Sequence, residues 1–248
     1  MKKIIALVLL AAMALTLVAC GAKTTETKPK LIMGTNAAFA PYEFRDENDK
    51  IVGIDAEIAA SVADKIGMEL EIKDMDFDSL LTAVQGGSID IVLAGLTVTE
   101  ERKQAVNFTE SYATGIQVII VPENSKVAGP DDLKNLTIGV QSGTTGDIYC
   151  TDDFGAEHIK QYKDAPSAVA ALIAGQVDCV VIDNEPAKNL VAANAGLSIL
   201  ETAYTEEQYA AAISKNNTEL LEKFNKALSE LKADGTIAKI VEKYIPSK

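Results

Sequence analysis

The 248-residue chain has no tryptophan, one histidine and three cysteines, and aromatic residues make up only 5% of it. The single histidine, His158, has no cysteine or histidine cluster beside it, which excludes a structural zinc site. It also lies outside every motif described below, so the side chain most used in general acid–base catalysis is missing from them. So few cysteines exclude a small disulfide-stapled scaffold. Cations are outnumbered, 23 Lys and Arg against 36 Asp and Glu, for a net charge of −13. That balance argues against nucleic acid or an anionic membrane surface as the main partner. It leaves a small ligand undetermined, because charge inside a cleft can oppose the global sign. After the first twenty residues no run approaches the ~20 apolar residues of a spanning helix, so a fused membrane sensor is not expected.

At the N-terminus, basic Met1-Lys-Lys precedes an apolar run from Ile4 to Val18, broken only by Thr16. This reads as a secretory signal, too short to favour a spanning helix. Leu17-Val-Ala-Cys20 resembles the bacterial lipobox, which implies cleavage, a lipid on Cys20 and a membrane tether. The alternative is a soluble secreted protein in which Cys20 is incidental. Residues 21–29, rich in Lys, Thr and Ala, read as a flexible stalk. If Cys20 carries lipid, Cys150 and Cys179 are either a disulfide pair or two buried thiols acting as apolar fillers.

The rest is well supplied with core, at 48% hydrophobic residues, and long enough for two lobes of about 100 residues each. Strand-like runs (Leu31–Met33, Leu70–Ile72, Ile89–Leu93, Gln117–Val121, Thr137–Gln141, His158–Tyr162, Cys179–Ile182) alternate with helical ones. Tyr42–Phe44 and Ile51-Val52 read as a hairpin, and Asp55 as the cap of a helix ending at Gly67. Helices are also expected over Ser79–Gln85, after Thr99, from the Ser142-Gly-Thr-Thr-Gly146 turn to Gly155, over Ser167–Ala174, after Asn184, and over Thr218–Lys232 and Thr236–Tyr244. This alternation implies an α/β fold.

One grammar occurs twice. Ala83-Val-Gln-Gly-Gly-Ser-Ile-Asp-Ile-Val-Leu93 and Ala171-Leu-Ile-Ala-Gly-Gln-Val-Asp-Cys-Val-Val181 share helix, turn glycine, aspartate and strand, at an offset of 88. Carried forward, the offset sets Gly95 opposite Asp183. In open α/β sheets ligands sit at such strand ends. In Ala94-Gly-Leu-Thr-Val-Thr-Glu-Glu-Arg102, Gly95 permits close approach, Thr99 caps a short helix, and Thr97 and Arg102 gather at the same end. Taken singly, each feature has a plain alternative: Arg102 a surface charge, Asp183 a helix cap, Phe39 and Phe77 core, Ser142-Gly-Thr-Thr-Gly146 a turn. That turn lacks the Gly-Lys-Ser/Thr ending of a P-loop. Taken together they suit a zwitterion. Arg102 offers a fork to a carboxylate, helped by the helix start at Thr144 and Thr145. Asp183, the Gly95 carbonyl and the Thr97 hydroxyl suit an ammonium, and Phe39 and Phe77 give apolar walls.

These motifs resemble the family-3 bacterial solute-binding proteins that serve ATP-driven importers of polar amino acids. Gly53-Ile-Asp-Ala-Glu-Ile-Ala-Ala-Ser-Val resembles that family's signature, with Ala56 where a larger aliphatic residue is usual. Gly34-Thr-Asn-Ala-Ala-Phe-Ala-Pro-Tyr-Glu-Phe44, Ala94–Arg102 and Ser142-Gly-Thr-Thr145 match as well. The resemblance implies a two-lobe, type II periplasmic-binding-protein-like α/β fold with two crossover strands, closing on its ligand. Lobe 1 would be residues 30–111 with 210–248, and lobe 2 residues 112–209. Arg102, Thr97, Thr144 and Thr145 would hold the α-carboxylate; Asp183 and the Ala94-Gly95 backbone, the ammonium. Phe39 and Phe77 would flank the side chain, and Asn36 and Gln141 would read its far end. Because Asn36 stands where an acidic residue is common, a neutral, glutamine-like side chain is expected, with a basic amino acid or cystine as the alternative. No cofactor, metal or catalytic residue is expected, and a cleft dehydratase is the enzyme alternative. Partners are the amino acid and importer permease subunits, in a monomer lipid-anchored outside the cytoplasm.

Overall fold

Capped helices and short apolar strands build two mixed sheets, seen in a computed structural model whose described residues are 28–200 and 203–246. The signal segment, Cys20 and most of the stalk lie outside the described residues. The chain begins with β1 (Lys30–Thr35), β2 (Ala38–Phe39), β3 (Glu43–Arg45), β4 (Ile51–Val52), α1 (Ile54–Lys65) and β5 (Glu69–Asp74). It continues with α2 (Leu80–Gln85), β6 (Ile91–Val92), α3 (Glu100–Ala105) and β7 (Val106–Phe108). Next come β8 (Ala113–Pro122), β9 (Ile138–Gln141), α4 (Thr145–Phe154), β10 (Ile159–Tyr162), α5 (Ala165–Ile173), β11 (Cys179–Asp183) and α6 (Asn184–Ala193). The last elements are β12 (Leu197–Ile199), β13 (Thr205–Tyr209), β14 (Ala212–Ser214), α7 (Thr218–Ala233) and α8 (Thr236–Tyr244).

One sheet has strand order β5-β1-β6-β14-β7, a second β10-β9-β11-β8-β12 with β13 also paired to β8, and β2-β3-β4 form a third, small sheet. The chain therefore leaves the first sheet after β7, enters the second at β8, and returns between β13 and β14. This is the expected two-lobe α/β architecture. Helix α7 shows why the C-terminal segment packs on the first lobe: Leu220, Phe224, Ala227, Leu228 and Leu231 are buried along one stripe, and α7 packs against α1.

The repeat has a structural counterpart. Gly87 and Gly175 both close their helices with positive φ, 74° and 67°, where glycine avoids a Cβ clash. Asp90 then clasps Ile32, its amide donating to the Ile32 carbonyl and its carboxylate accepting the Ile32 amide, both at 2.8 Å. Asp178 repeats the clasp on Thr137 at 2.8 and 2.7 Å.

Three expectations need correction. Asp55 does not cap its helix: Gly53 holds the cap position and Asp55 lies buried in the first turn. The strand expected over Ile89–Leu93 shrinks to β6, because the Asp90 clasp takes its first residues out of the ladder. Strands β12, β13 and β14 were not anticipated, since Thr205-Glu-Glu-Gln-Tyr209 carries no apolar run. Cys150 and Cys179 are free thiols, fully buried in one core cluster of the second lobe. Burial pushes the Cys179 thiol up to about 12 and Cys150 higher still.

Candidate ligand-binding site

All eleven residues proposed from sequence, Asn36, Phe39, Phe77, Ala94, Gly95, Thr97, Arg102, Gln141, Thr144, Thr145 and Asp183, line a single small, tightly closed cavity, and Glu43 lines it too. The first seven come from strands, strand ends and turns of the first lobe and from α3. The other four come from the ends of β9 and β11 and the start of α4.

Arg102 reaches the cavity because Thr99 starts α3 in the right place: the Thr99 hydroxyl accepts the Arg102 amide at 3.1 Å. Its guanidinium, 6% exposed, donates to the carbonyl of Thr97 at 2.8 Å and, across the cleft, to that of Gly143 at 2.9 Å. It also lies 5.7 Å from the centre of the Phe77 ring, within cation–π range. Burial lowers its pKa from the ordinary value, opposed by Glu207 and by Tyr149, Asp183 and Glu101. Gly143 holds φ +75°, and its amide donates to buried Asp147 at 3.0 Å, which sets the turn before α4.

Thr144 caps α4, its hydroxyl accepting the Asp147 amide at 3.3 Å and donating to the Gln141 carbonyl at 2.8 Å. The hydroxyls of Thr97 and Thr145 approach to 3.5 Å across the cleft. Gly95 has φ +53°, and a Cβ there would meet the Phe39 ring at 2.7 Å, so only glycine fits. Its amide donates to Asp55 at 2.8 Å.

Asp183 occupies the position before α6 without capping it. It is buried and accepts a hydrogen bond from the Tyr209 phenol. Burial, then the Glu207 carboxylate, push it up to about 7, while Tyr209 and Gln117 pull the other way. Glu207 is itself buried and accepts from Thr97 at 3.1 Å and Gln117 at 3.0 Å.

Asn36 and Gln141 meet each other across the cleft: Gln141 donates to the Asn36 side-chain oxygen at 2.9 Å and to the Lys163 carbonyl at 3.2 Å. Asn36 spends its own amide on the Met75 carbonyl at 2.9 Å. The pair thus forms part of the cavity wall with its donors largely engaged.

Sequence reasoning missed Glu43, Asp55, Glu207 and Tyr209. Glu43 is 1% exposed and its two carboxyl oxygens, like Oδ1 of Asp55, have no N–H or O–H donor. Its carboxyl rises well above the ordinary range through burial and then the neighbouring Asp55 carboxylate. Asp55 rises to about 6, burial outweighing the donors Gly95 and Tyr112. A proton on one Glu43 oxygen directed at Oδ1 of Asp55 would give two of these three oxygens a partner. Glu43 reaches the cavity beside Phe39 as its partner across the β2–β3 ladder, a pairing that no local sequence pattern marks.

Residues 31–247 match the family described as bacterial extracellular solute-binding proteins, family 3. The arginine-binding extracellular protein ArtP of Bacillus subtilis is 34% identical over 256 residues, covering 98% of each chain. Among solved structures, an ancestral arginine-binding protein bound to glutamine superposes with a TM-score of 0.85 at 41% identity, covering 89% of this chain and 99% of its own. The arginine-, lysine-, histidine-binding protein ArtJ of Geobacillus stearothermophilus gives 0.84 at 35% identity, covering 88% and 96%. These are binding proteins, not enzymes, which sets aside the dehydratase alternative. With its two lobes, two crossovers and a cavity between them, this chain belongs to the family-3 bacterial extracellular solute-binding proteins.

Proposed function

We propose that the chain is the ligand-binding component of an ATP-driven amino acid importer and that it prefers a cationic side chain, arginine first. The observation that carries this preference is Glu43, a buried carboxyl on the cavity wall with no donor of its own. Asn36 standing where a carboxylate is common argues for a neutral side chain, and Glu43 supplies a carboxyl lining the same cavity. A buried cation needs such a partner, and a guanidinium also offers donors to several oxygens at once. The names of ArtP and ArtJ are consistent with this reading.

In the proposed complex Arg102, Thr97 and the Thr144–Thr145 turn hold the α-carboxylate. Asp183 and the Ala94-Gly95 backbone hold the ammonium, while Phe39 and Phe77 flank the side chain. The lobes are residues 30–111 with 210–248, and 112–209. Arg102 and Asp183 grip opposite ends of one molecule from opposite lobes, so the ligand favours the closed arrangement, and differential affinity of that kind is what shifts a conformational balance. Permease subunits then meet the closed shape. Lipid on Cys20 tethers the protein, as a monomer, outside the cytoplasm.

Calorimetric titration with the twenty amino acids and cystine tests the preference. Arginine is expected to bind tightest, with lysine or histidine next. Glutamine binding more tightly than arginine overturns the cationic reading and restores the neutral one, for which the glutamine-bound ancestral relative is the precedent.

A further inference from the structure

Tyr209 sits where the chain passes from the second sheet back to the first. On β13 it pairs with Ala113 of β8, its carbonyl accepts the Tyr112 amide at 2.9 Å, and it forms an isolated bridge with Thr97. Asp183 belongs to β11, which pairs with the other side of β8 through Gln117. To reach Asp183 the Tyr209 ring must therefore cross β8. It does so at Gly115, where an added Cβ would lie 2.3 Å from the phenol oxygen and 2.4 Å from Cζ. The ring is fully buried and held edge-on by Tyr42, with centroids 5.1 Å apart and planes at 77°.

We propose that Tyr209 is a positioning residue for ligand binding: its phenol holds the Asp183 carboxylate ionised and in place for a ligand ammonium. The proposal rests on the role given to Asp183 above. Asp183 needs such a donor because the groups facing it are mostly acidic. Glu207 comes from β13, and Glu43 and the phenol of Tyr42 from the β3 side. Against these stand Arg102 from α3, and Tyr149 from α4 as a neutral phenol. The nearby Gln117 amide is shared with Glu207 at 3.0 Å and Thr145 at 3.5 Å. Removing the Tyr209 hydroxyl takes away a charge-assisted bond, of the stronger kind. Asp183 then keeps its proton to higher pH, and a neutral carboxyl is a poor partner for an ammonium. The phenol itself stays protonated, because burial and Asp183 raise its pKa far above the ordinary value.

The experiment is titration of arginine into wild type, Tyr209→Phe and Asp183→Asn from pH 5.5 to 9.5, with cooperative melting as the check on folding. In wild type affinity falls on the acid side as Asp183 protonates. In Tyr209→Phe that acid limb is expected to move up by about one pH unit, as loss of a hydrogen bond to a charged group implies. Affinity recovers towards wild type at the alkaline end. A merely structural loss lowers affinity by the same factor at every pH, and that result, or an unmoved limb, overturns the proposal. Asp183→Asn separates the two readings: if it binds as tightly as wild type, the ammonium role of Asp183 fails, whatever Tyr209→Phe shows. If Tyr209→Phe does not fold, Gly115→Ala gives the same readout by driving the phenol away from Asp183. An unmoved limb in Gly115→Ala then overturns the proposal.

Discussion

Glu43 and Asp55 are two carboxyl groups buried side by side, one on the cavity wall and one at the foot of α1, and the only donors between them serve Oδ2 of Asp55. That oxygen accepts the Gly95 amide at 2.8 Å and the Tyr112 phenol at 2.7 Å. Like charges so placed share a proton instead of both ionising. A cationic side chain entering beside Glu43 removes the reason for keeping it.

Arginine binding near pH 7 is accordingly expected to release up to about one proton from this pair. Calorimetry in two buffers of different ionisation enthalpy measures it, as a buffer-dependent apparent enthalpy. Glu43→Gln is expected to abolish the release and to weaken arginine by roughly ten- to a hundredfold, in line with 1.5–3 kcal/mol for a hydrogen bond to a charged group. Glutamine, if it binds, should lose far less. An enthalpy independent of buffer in wild type counts against the shared proton.

Arg102 bridges the lobes through the Thr97 and Gly143 carbonyls at 2.8 and 2.9 Å, and it is the cavity's buried fixed cation. Arg102→Ala is expected to abolish measurable binding of every amino acid, since the α-carboxylate is common to all. Cooperative melting should survive, because α3 keeps its Thr99 cap. Binding of wild-type strength in this variant removes the carboxylate assignment.

Why the cavity was so legible, and its floor so much less, has a physical explanation. Gly95, Thr97, Arg102 and Asp183 sit at strand ends, and strand ends are marked in sequence by glycines, caps and the switch from apolar runs to polar residues. The repeat then aligned the two lobes. Glu43 offered no such mark: between Tyr42 and Phe44 it reads as the polar, outward position of a hairpin. In fact Glu43 is buried while Phe44 is half-buried, because β3 packs its glutamate towards the cleft. Asp55 looked like a cap for the same reason, an acid at a helix start, although its partners lie 40 and 57 residues away. Local pattern carries no trace of contacts at that distance. Strand β13, polar by composition, forms because β8 offers it a ladder edge.

The raised carboxyls also set a pH dependence of stability. Asp55 and Asp183 have folded values of about 6 and about 7, above the ~4 of an unfolded chain, and Glu43 is raised as well. Between these values the folded protein holds protons that the unfolded chain gives up. The contribution is full below pH ~4 and is lost as pH rises through the folded values; at about 1.4 kcal/mol for each pH unit between the free and folded values it amounts to several kcal/mol in all. Without added ligand, wild type is expected to lose stability from pH 5 to pH 8, and Asp183→Asn to lose less. Chemical denaturation at the two pH values measures it, and equal losses in the two proteins count against the raised Asp183.

The duplicated clasp makes the most general test of the two-lobe reading. Asp90 and Asp178 each accept the amide of a strand residue, Ile32 and Thr137, while returning their own amides to the same residues. Alanine at either position leaves a strand amide without its acceptor and should cost about 1–2 kcal/mol. The Asp90 bond is partly buried and the Asp178 bond exposed, so water replaces the acceptor more easily at Asp178, and Asp90→Ala should be the more costly. Because the two clasps sit in different lobes with no shared partner, their effects on global unfolding are expected to add. Urea titration of both single variants and the double variant checks this. A double variant no less stable than Asp90→Ala alone would mean that the second lobe unfolds independently, and its clasp would then show as a separate, earlier transition.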